Sequence, residues 1–178
     1  MKSEFYTAYL DVLEHEGGRV NHRADRGGST AYGISLRFLK GLPDLAGDVN
    51  GDGHVSEADI DVLTRRDAQG FYLKYFWEHY DLGQIQDQVL ATKMFNFFVN
   101  MRGKTAALIA QRAANDFNAG LLEDGVLGPA SFAAINRLPP AHLLVCIKYH
   151  AWQVYKAIVS HRPSQAVFLN GWQNRAFS

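Results

Sequence analysis

Three side chains that could act in acid–base chemistry lie close together near the start of the chain. Glu16 ends an apolar, helix-like run, Asp25 follows with eight residues between them, and Thr30 follows Asp25 with four between. A helix C-terminus carries partial negative charge and so raises the pKa of a carboxyl group there, as a general acid at neutral pH requires. A second carboxylate across a groove completes an arrangement that cleaves glycosidic bonds. Taken singly, the three residues are equally typical of a helix end, an Asx turn and a strand, and those roles remain open.

The elements that must position these residues are an amphipathic helix and a short hairpin. Apolar residues at three- and four-residue intervals predict a helix over residues 3 to 16, with Ser3 as its N-cap. Glycine pairs at 17–18 and 27–28 then permit the tight reversals that bulkier residues disfavour. The sequence therefore predicts a helix whose last residue, Glu16, faces a hairpin.

Length, charge balance and cysteine content limit the classes of protein that this chain could belong to. The 178 residues suffice for one domain with a substantial core. Eighteen basic residues balance eighteen acidic ones, so overall charge gives no argument for nucleic acid or an anionic membrane as partner. The single cysteine, Cys146, cannot form an internal disulfide, which is typical of synthesis in a reducing cytosol. We expect no signal peptide and no stable membrane insertion.

A second motif, at residues 48–59, has the ligand spacing of an EF-hand calcium loop. Oxygen donors stand at loop positions 1, 3, 5, 7, 9 and 12, with Gly53 at the sharp-turn position 6. Position 12 is Asp59 rather than glutamate, which lowers the expected calcium affinity and leaves Mg²⁺ possible as the ion. A solvated turn rich in Asp, Asn and Gly remains the alternative. We expect a structural Ca²⁺ that orders an insertion at about 44–60 and is held by Asp48, Asn50, Asp52, the His54 carbonyl, Ser56 and Asp59.

Several further segments are predicted to be helical. Residues 57–80 carry a dense aromatic series whose members we expect mostly in the core. Helices are also predicted over 87–101, 104–117 and 141–160. Asn96 and Asn100 lie on one helix face, where they either brace the catalytic loop or contact acetamido groups of a substrate.

The segment EGGRVNHRADRGGSTAYGIS, from Glu16 to Ser35, resembles the signature of glycoside hydrolase family 108, the peptidoglycan N-acetylmuramidases of phage endolysins and related bacterial proteins. The resemblance implies a mainly α, lysozyme-like α+β fold with a small β-hairpin at the active-site groove. It also implies hydrolysis of the β-1,4 bond between N-acetylmuramic acid and N-acetylglucosamine, with Glu16, Asp25 and Thr30 as catalytic residues. We expect Tyr32, Tyr72 and Asn100 to contact the substrate.

The resemblance extends to the second half of the chain, where DGVLGPASFAAI is similar to an element of peptidoglycan-binding regions. We predict a single domain over 1–178, with a catalytic part at 1–100 and a helical binding part at 101–178 packed on it. The expected partner is the peptidoglycan glycan strand, and the protein is expected to be a monomer. Without a signal peptide, it would be made in the bacterial cytoplasm and need a holin-type protein to reach the wall. A lytic transglycosylase, and a non-catalytic wall-binding or secretion-accessory protein, remain alternatives.

Overall fold

The computed structural model describes residues 3–16 and 30–178, and for residues 14–16 it describes the backbone alone. The described elements are mainly helical with one two-stranded antiparallel sheet, which confirms the predicted α+β class. Contacts divide the chain into two compact units, Tyr9–Tyr75 and Met1–Ala8 with Phe76–Ser178. The predicted organisation as one domain stays a prediction. None of the described helices is long and apolar enough to cross a bilayer.

The unit Tyr9–Tyr75 contains the hairpin and most of the short helices. In chain order its elements are α1 (Phe5–Glu16, shared with the other unit), β1 (Thr30–Ala31), β2 (Ile34–Ser35), α2 (Leu36–Lys40), a 3-10 turn (Pro43–Leu45), α3 (Glu57–Val62), α4 (Arg65–Tyr72) and the start of a π-helix (Leu73–Glu78).

The hairpin is tight because its turn has only two residues. β1 and β2 pair antiparallel, with Thr30 opposite Ser35. The turn residues Tyr32 and Gly33 both have positive φ, at 52° and 78°, as a type I′ turn requires. Ser35 then ends the sheet and begins α2, because its hydroxyl accepts a hydrogen bond from the Phe38 N–H at 3.1 Å. The hairpin and α2 are thus joined without a loop.

The segment after α2 lies directly on that helix. A Cβ placed on Gly47 would stand 2.3 Å from the carbonyl oxygen of Leu39, so this contact of two backbones requires glycine. Leu39 itself is fully buried, as are Val12 of α1 and Ala68 of α4. This close contact fixes the place where residues 48–59 leave the body of the unit.

The second unit is a set of packed helices. They are a 3-10 turn (Leu82–Gln84), α5 (Gln88–Asn100), α6 (Gly103–Asn115), α7 (Pro129–Arg137), α8 (Pro140–His161), a 3-10 segment (Pro163–Phe168) and α9 (Leu169–Phe177).

Small residues on α6 and a regular stripe on α8 form much of this second core. α6 buries alanines, which let a neighbouring helix approach closely, and α8 buries one residue in every four: Leu143, Ile147, Ala151 and Tyr155. The rings of Phe5, Trp77 and Phe95 meet edge to face, with centroids 5.7 to 5.9 Å apart. α5, α6 and α8 begin and end within two residues of their predicted bounds.

Two local predictions were wrong. α1 begins at Phe5, and the Ser3 hydroxyl donates to the Leu82 carbonyl at 3.4 Å instead of capping the helix. The aromatic series is mostly half-buried, with only Tyr72 and Trp77 in the core. The α-helical period assumed for that series stops at Leu73, where the π-helix begins and turns the following side chains to new directions.

Candidate active site

Of the predicted catalytic residues, the structure describes Thr30 fully and Glu16 in part. Glu16 is the last residue of α1, and its side chain lies outside the described atoms. Asp25 also lies outside the described residues. Thr30 begins β1 and is half-buried. The site is therefore defined here by the two elements that carry these residues, the end of α1 and the hairpin.

Two tyrosines connect those elements within the unit Tyr9–Tyr75. Tyr9 of α1 and Tyr72 of α4 are both buried, and their ring centroids are 5.7 Å apart. The Tyr72 hydroxyl donates to the backbone carbonyl of Tyr32, at the hairpin turn, across 3.3 Å. The Tyr9 hydroxyl donates to the Arg65 carbonyl at 3.3 Å. Among the contacts that the structure describes, this pair of rings and these two hydrogen bonds link α1, α4 and the hairpin.

These contacts define a structural role for Tyr72 that the sequence did not predict. Its side chain is 1% exposed, and its hydroxyl is used by the hairpin turn, so in this structure it supports the turn from inside the unit. Tyr32, by contrast, is half-buried and belongs to the turn itself. Of the two tyrosines, Tyr32 is the one a ligand can reach.

The two asparagines on one face of α5 bond to each other, and Asn96 also bonds to the last helix. Asn100 is exposed and its side-chain amide donates to the Asn96 carbonyl at 2.9 Å. Asn96 is buried, and its side-chain oxygen accepts from the Arg175 guanidinium at 3.3 Å. Asn96 therefore braces the last helix, α9, in its own unit, a partner 79 positions away that spacing along α5 could not indicate.

The predicted calcium loop is wound around the carboxylate of Asp48. Its two oxygens accept hydrogen bonds from the backbone N–H groups of Gly51, Asp52 and Gly53 at 2.8 to 3.2 Å. Gly51 and Gly53 have φ of +77° and +86°, the left-handed conformation that the sharp turn requires. The side chains of Asn50 and Asp52 bond to each other at 3.2 Å.

Asp59 closes the same loop from its other end. Its carboxylate is inaccessible to solvent and accepts from the backbone N–H groups of Val49, Asn50 and Ser56 at 2.7 to 3.1 Å. With Ser56 it forms a capping box that begins α3. Desolvation acts to raise the pKa of Asp59, but the N–H groups of Ser56, Asn50 and Val49 outweigh it and hold that pKa below its ordinary value.

As a metal site, the loop fits calcium in its donor chemistry and its turn. All the predicted ligands are oxygen atoms, and each carboxylate oxygen can accept more than one interaction. In the part of the chain that the structure describes, no three histidine, cysteine or acidic side chains stand close enough together to hold an ion. Binding of an ion would therefore have to draw the carboxylates of the loop closer together, and it would also have to break the hydrogen bond between Asn50 and Asp52.

A feature that the sequence reasoning missed is a surface cavity of about 470 Å³ between α4 and the segment that leads into the loop. Its helix side is formed by residues four apart, 66, 70 and 74 on one line and 67, 71 and 75 on the next. That spacing was visible in the sequence. Its aromatic members, Phe71 and Tyr75, are predicted from sequence to lie in the core, since aromatic side chains at such intervals usually face it.

Comparison with known proteins agrees with this architecture. The family model described as Glycosyl hydrolase 108 matches residues 9–101, and that described as Predicted Peptidoglycan domain matches residues 105–177. A solved structure titled "Structure of Brucella abortus SagA" has a TM-score of 0.73 and 22% identity, covering 97% of this chain and 88% of that one. At that identity the likeness concerns the fold alone. No curated protein matches the chain.

The fold and the two matched regions define a lysozyme-like α+β glycoside hydrolase that acts on peptidoglycan. Because the first match spans more than half of the chain, the protein belongs to the glycosyl hydrolase 108 family. The second match covers α6 to α9 and assigns those helices to a peptidoglycan domain.

Proposed function

We propose that the protein is an N-acetylmuramidase, which hydrolyses the β-1,4 bond between N-acetylmuramic acid and N-acetylglucosamine. The observation that carries the proposal is the position of Glu16 at the last residue of α1, in the unit where a braced hairpin begins at Thr30. Membership of the glycosyl hydrolase 108 family supports the reaction class.

In the proposed mechanism Glu16 is the general acid. The C-terminal end of α1 disfavours a negative charge there, so the carboxyl group stays protonated until it donates to the leaving glycosidic oxygen. Asp25 and Thr30 hold or activate the attacking water, or stabilise positive charge on the sugar ring. Seven positions, about two helical turns, separate Glu16 from Tyr9, so both belong to one side of α1.

For substrate contacts we propose Tyr32 and Asn100. Each is accessible in its own unit: Tyr32 is half-buried at the hairpin turn, and Asn100 is exposed at the end of α5. Tyr72 acts on the substrate through Tyr32, whose backbone it fixes, and is a positioning residue.

We also propose that residues 48–59 bind a structural Ca²⁺. The ligands would be the side chains of Asp48, Asn50, Asp52, Ser56 and Asp59 and the carbonyl of His54. The support is the oxygen-only ligand set and the positive φ of Gly53 at the sharp turn. The ion would supply cross-linking of the loop and no chemistry. Saturating Ca²⁺ should raise the Tm relative to chelator, and the absence of a shift would contradict the site.

The place of action follows from the proposed substrate. An enzyme made in the cytoplasm, as the sequence predicts, needs a holin-type pore to reach the wall. Expression in a bacterium with and without such a pore protein tests this, because lysis should follow only when both are present.

The decisive experiment is digestion of purified peptidoglycan with analysis of the new chain ends. A muramidase gives reducing-end muramic acid, whereas a lytic transglycosylase gives the 1,6-anhydro product and a wall-binding protein gives no cleavage. Glu16→Gln should abolish cleavage. Glu14→Gln is the matched control, since position 14 is about 200° away around the same helix. Normal activity of Glu16→Gln would show that another residue is the acid.

A further inference from the structure

We propose that the surface cavity beside α4 binds the carboxylates of peptidoglycan stem peptides. The inference rests on the proposed substrate and adds a second recognition site, for the peptide rather than the sugar. Its volume of about 470 Å³ lies in the range of small-ligand sites. All of its lining residues belong to the unit Tyr9–Tyr75.

The charge of the cavity favours an anion. Arg66 and Lys74 both line it and are exposed, and within the described residues neither forms an ion pair. Among the described lining residues, the one acid is Asp67, which forms hydrogen bonds at the N-terminus of α4. Its carboxylate accepts from the Thr64 N–H at 2.9 Å and the Thr64 hydroxyl at 2.5 Å. The pKa of Asp67 is lowered by these hydrogen bonds from Thr64 and, to a smaller extent, by the charge of Arg66, so Asp67 and Arg66 interact at longer range. Neither cation of the lining forms an ion pair in the part of the chain that the structure describes.

One wall is apolar and aromatic. Phe71 and Tyr75 stack with centroids 6.0 Å apart, and Phe38 supports both from α2 at 6.0 Å each. Lys74 extends over the Tyr75 ring, with its ammonium 5.1 Å from the centroid, which holds the charge beside the aromatic wall. The cavity can thus bind an aliphatic group and a negative charge together.

Gly70 keeps the floor of the cavity open. Glycine inside a helix is less stable than alanine, and here packing gives no reason for it, because a Cβ at residue 70 would meet no atom within 4 Å. The space that a side chain would occupy belongs to the cavity. α4 therefore has a residue of low helix propensity at the place where a ligand would lie.

Stem peptides combine the two properties that this site selects. In peptidoglycan the glycan strand is essentially neutral, and the free carboxylates belong to the peptides, next to methyl and methylene groups. Arginine binds carboxylates through paired hydrogen bonds, and lysine does so as a point charge. A phosphate polymer would bind the two cations but has few apolar groups to pack against Phe71 and Tyr75. The peptide is therefore the favoured occupant.

The test begins with binding of a free tetrapeptide stem, L-alanyl-D-isoglutamyl-diaminopimelyl-D-alanine, by calorimetry. The double variant R66Q/K74Q should bind about tenfold more weakly or worse, because charge-assisted hydrogen bonds are lost. The control K40Q/R65Q removes the same charge from exposed positions that do not line the cavity, and should bind like the wild type. Equal affinity of R66Q/K74Q and wild type for the peptide would overturn the proposal. So would a wild type that binds inorganic phosphate but not the peptide.

A second variant series separates the cavity from its charges. Gly70→Leu should fill the floor and weaken peptide binding, whereas Gly70→Ala should fold at least as stably as the wild type. Undiminished peptide binding by a folded Gly70→Leu protein would place the peptide elsewhere.

Activity distinguishes this inference from the proposed function. On whole sacculi R66Q/K74Q should raise KM with kcat retained, and on glycan strands freed of peptides by an amidase it should match the wild type. If R66Q/K74Q and the wild type had the same KM on whole sacculi as well as on peptide-free strands, the peptide site would be refuted and the muramidase proposal would stand. A wild type that binds the peptide and cleaves neither substrate would refute the muramidase and leave the peptide site intact.

Discussion

Tyr72 donates its hydroxyl hydrogen to the carbonyl of Tyr32 from a fully buried ring. The acceptor belongs to a residue with φ of +52°, a conformation that a tyrosine backbone disfavours. The hydrogen bond therefore stabilises a strained turn at the point where β1 ends and β2 begins, three residues before Ser35, which caps the next helix.

Tyr72→Phe should lower both stability and activity. The ring and its contact with Tyr9 remain, and loss of the hydrogen bond to the Tyr32 carbonyl should cost about 1 kcal/mol in the free energy of unfolding. We expect a larger proportional loss in kcat on peptidoglycan, because the hairpin that carries Thr30 becomes less ordered. Denaturant unfolding and sacculus digestion measure the two effects. Tyr149→Phe, at a half-exposed position on α8, should change neither.

Lys93 stabilises the end of α9. The residue is only 7% exposed, and its ammonium donates to the main-chain oxygens of Arg175 at 2.5 Å and Ser178 at 3.2 Å, where the helix dipole is negative. Lys93→Met keeps the side-chain volume but leaves those oxygens without this donor, so we expect a loss of about 1–3 kcal/mol in unfolding free energy. Lys156→Met, which removes an exposed ammonium 5.9 Å from the Trp152 ring, is the control and should cost less than about 1 kcal/mol. Equal losses would contradict a capping role for Lys93.

Acid should weaken the loop that Asp59 closes. Because the folded pKa of Asp59 lies below the unfolded value of 3.8, the ionised form contributes stability that is complete above that value and is lost as pH falls through the folded pKa. Asp59→Asn should cost about 1–3 kcal/mol near neutral pH and flatten the stability curve below pH 4. Asp44→Asn is the control, since asparagine accepts its φ of +51°. A curve for Asp59→Asn parallel to that of the wild type would assign the acid sensitivity to other groups.

Gly47 and Gly41 offer a matched pair of glycine substitutions. Gly47→Ala would bring a Cβ to 2.3 Å from the Leu39 carbonyl oxygen, and the backbone there cannot move without displacing α2. We expect a loss of at least about 2 kcal/mol, seen as a lower denaturation midpoint. Gly41→Ala meets its nearest atom at 3.4 Å with an ordinary φ of −85° and should change stability by less than about 1 kcal/mol.

The sequence predicted those features that depend on local spacing. The helical periods of α5, α6 and α8 predicted their bounds, because each such signal lies within a few residues. The Tyr72 bond to Tyr32 and the Arg175 bond to Asn96 join residues 40 and 79 positions apart, and only the fold brings such pairs together. The π-helix could not be predicted from the α-helical period, because that period ends at Leu73, where the π-helix begins.

The loop at residues 48–59 is already wound by its own hydrogen bonds, with Asp48 at its centre and Asp59 at its close. The binding energy of a cation would therefore not have to offset the entropic cost of ordering twelve residues, and more of it would appear as affinity. If the loop binds Ca²⁺ as proposed, this backbone order would offset part of the shorter reach of aspartate at the twelfth position, while the bond between Asn50 and Asp52 would still have to break. The same backbone order also means that a chelator should leave the segment folded, with protection from proteases largely retained.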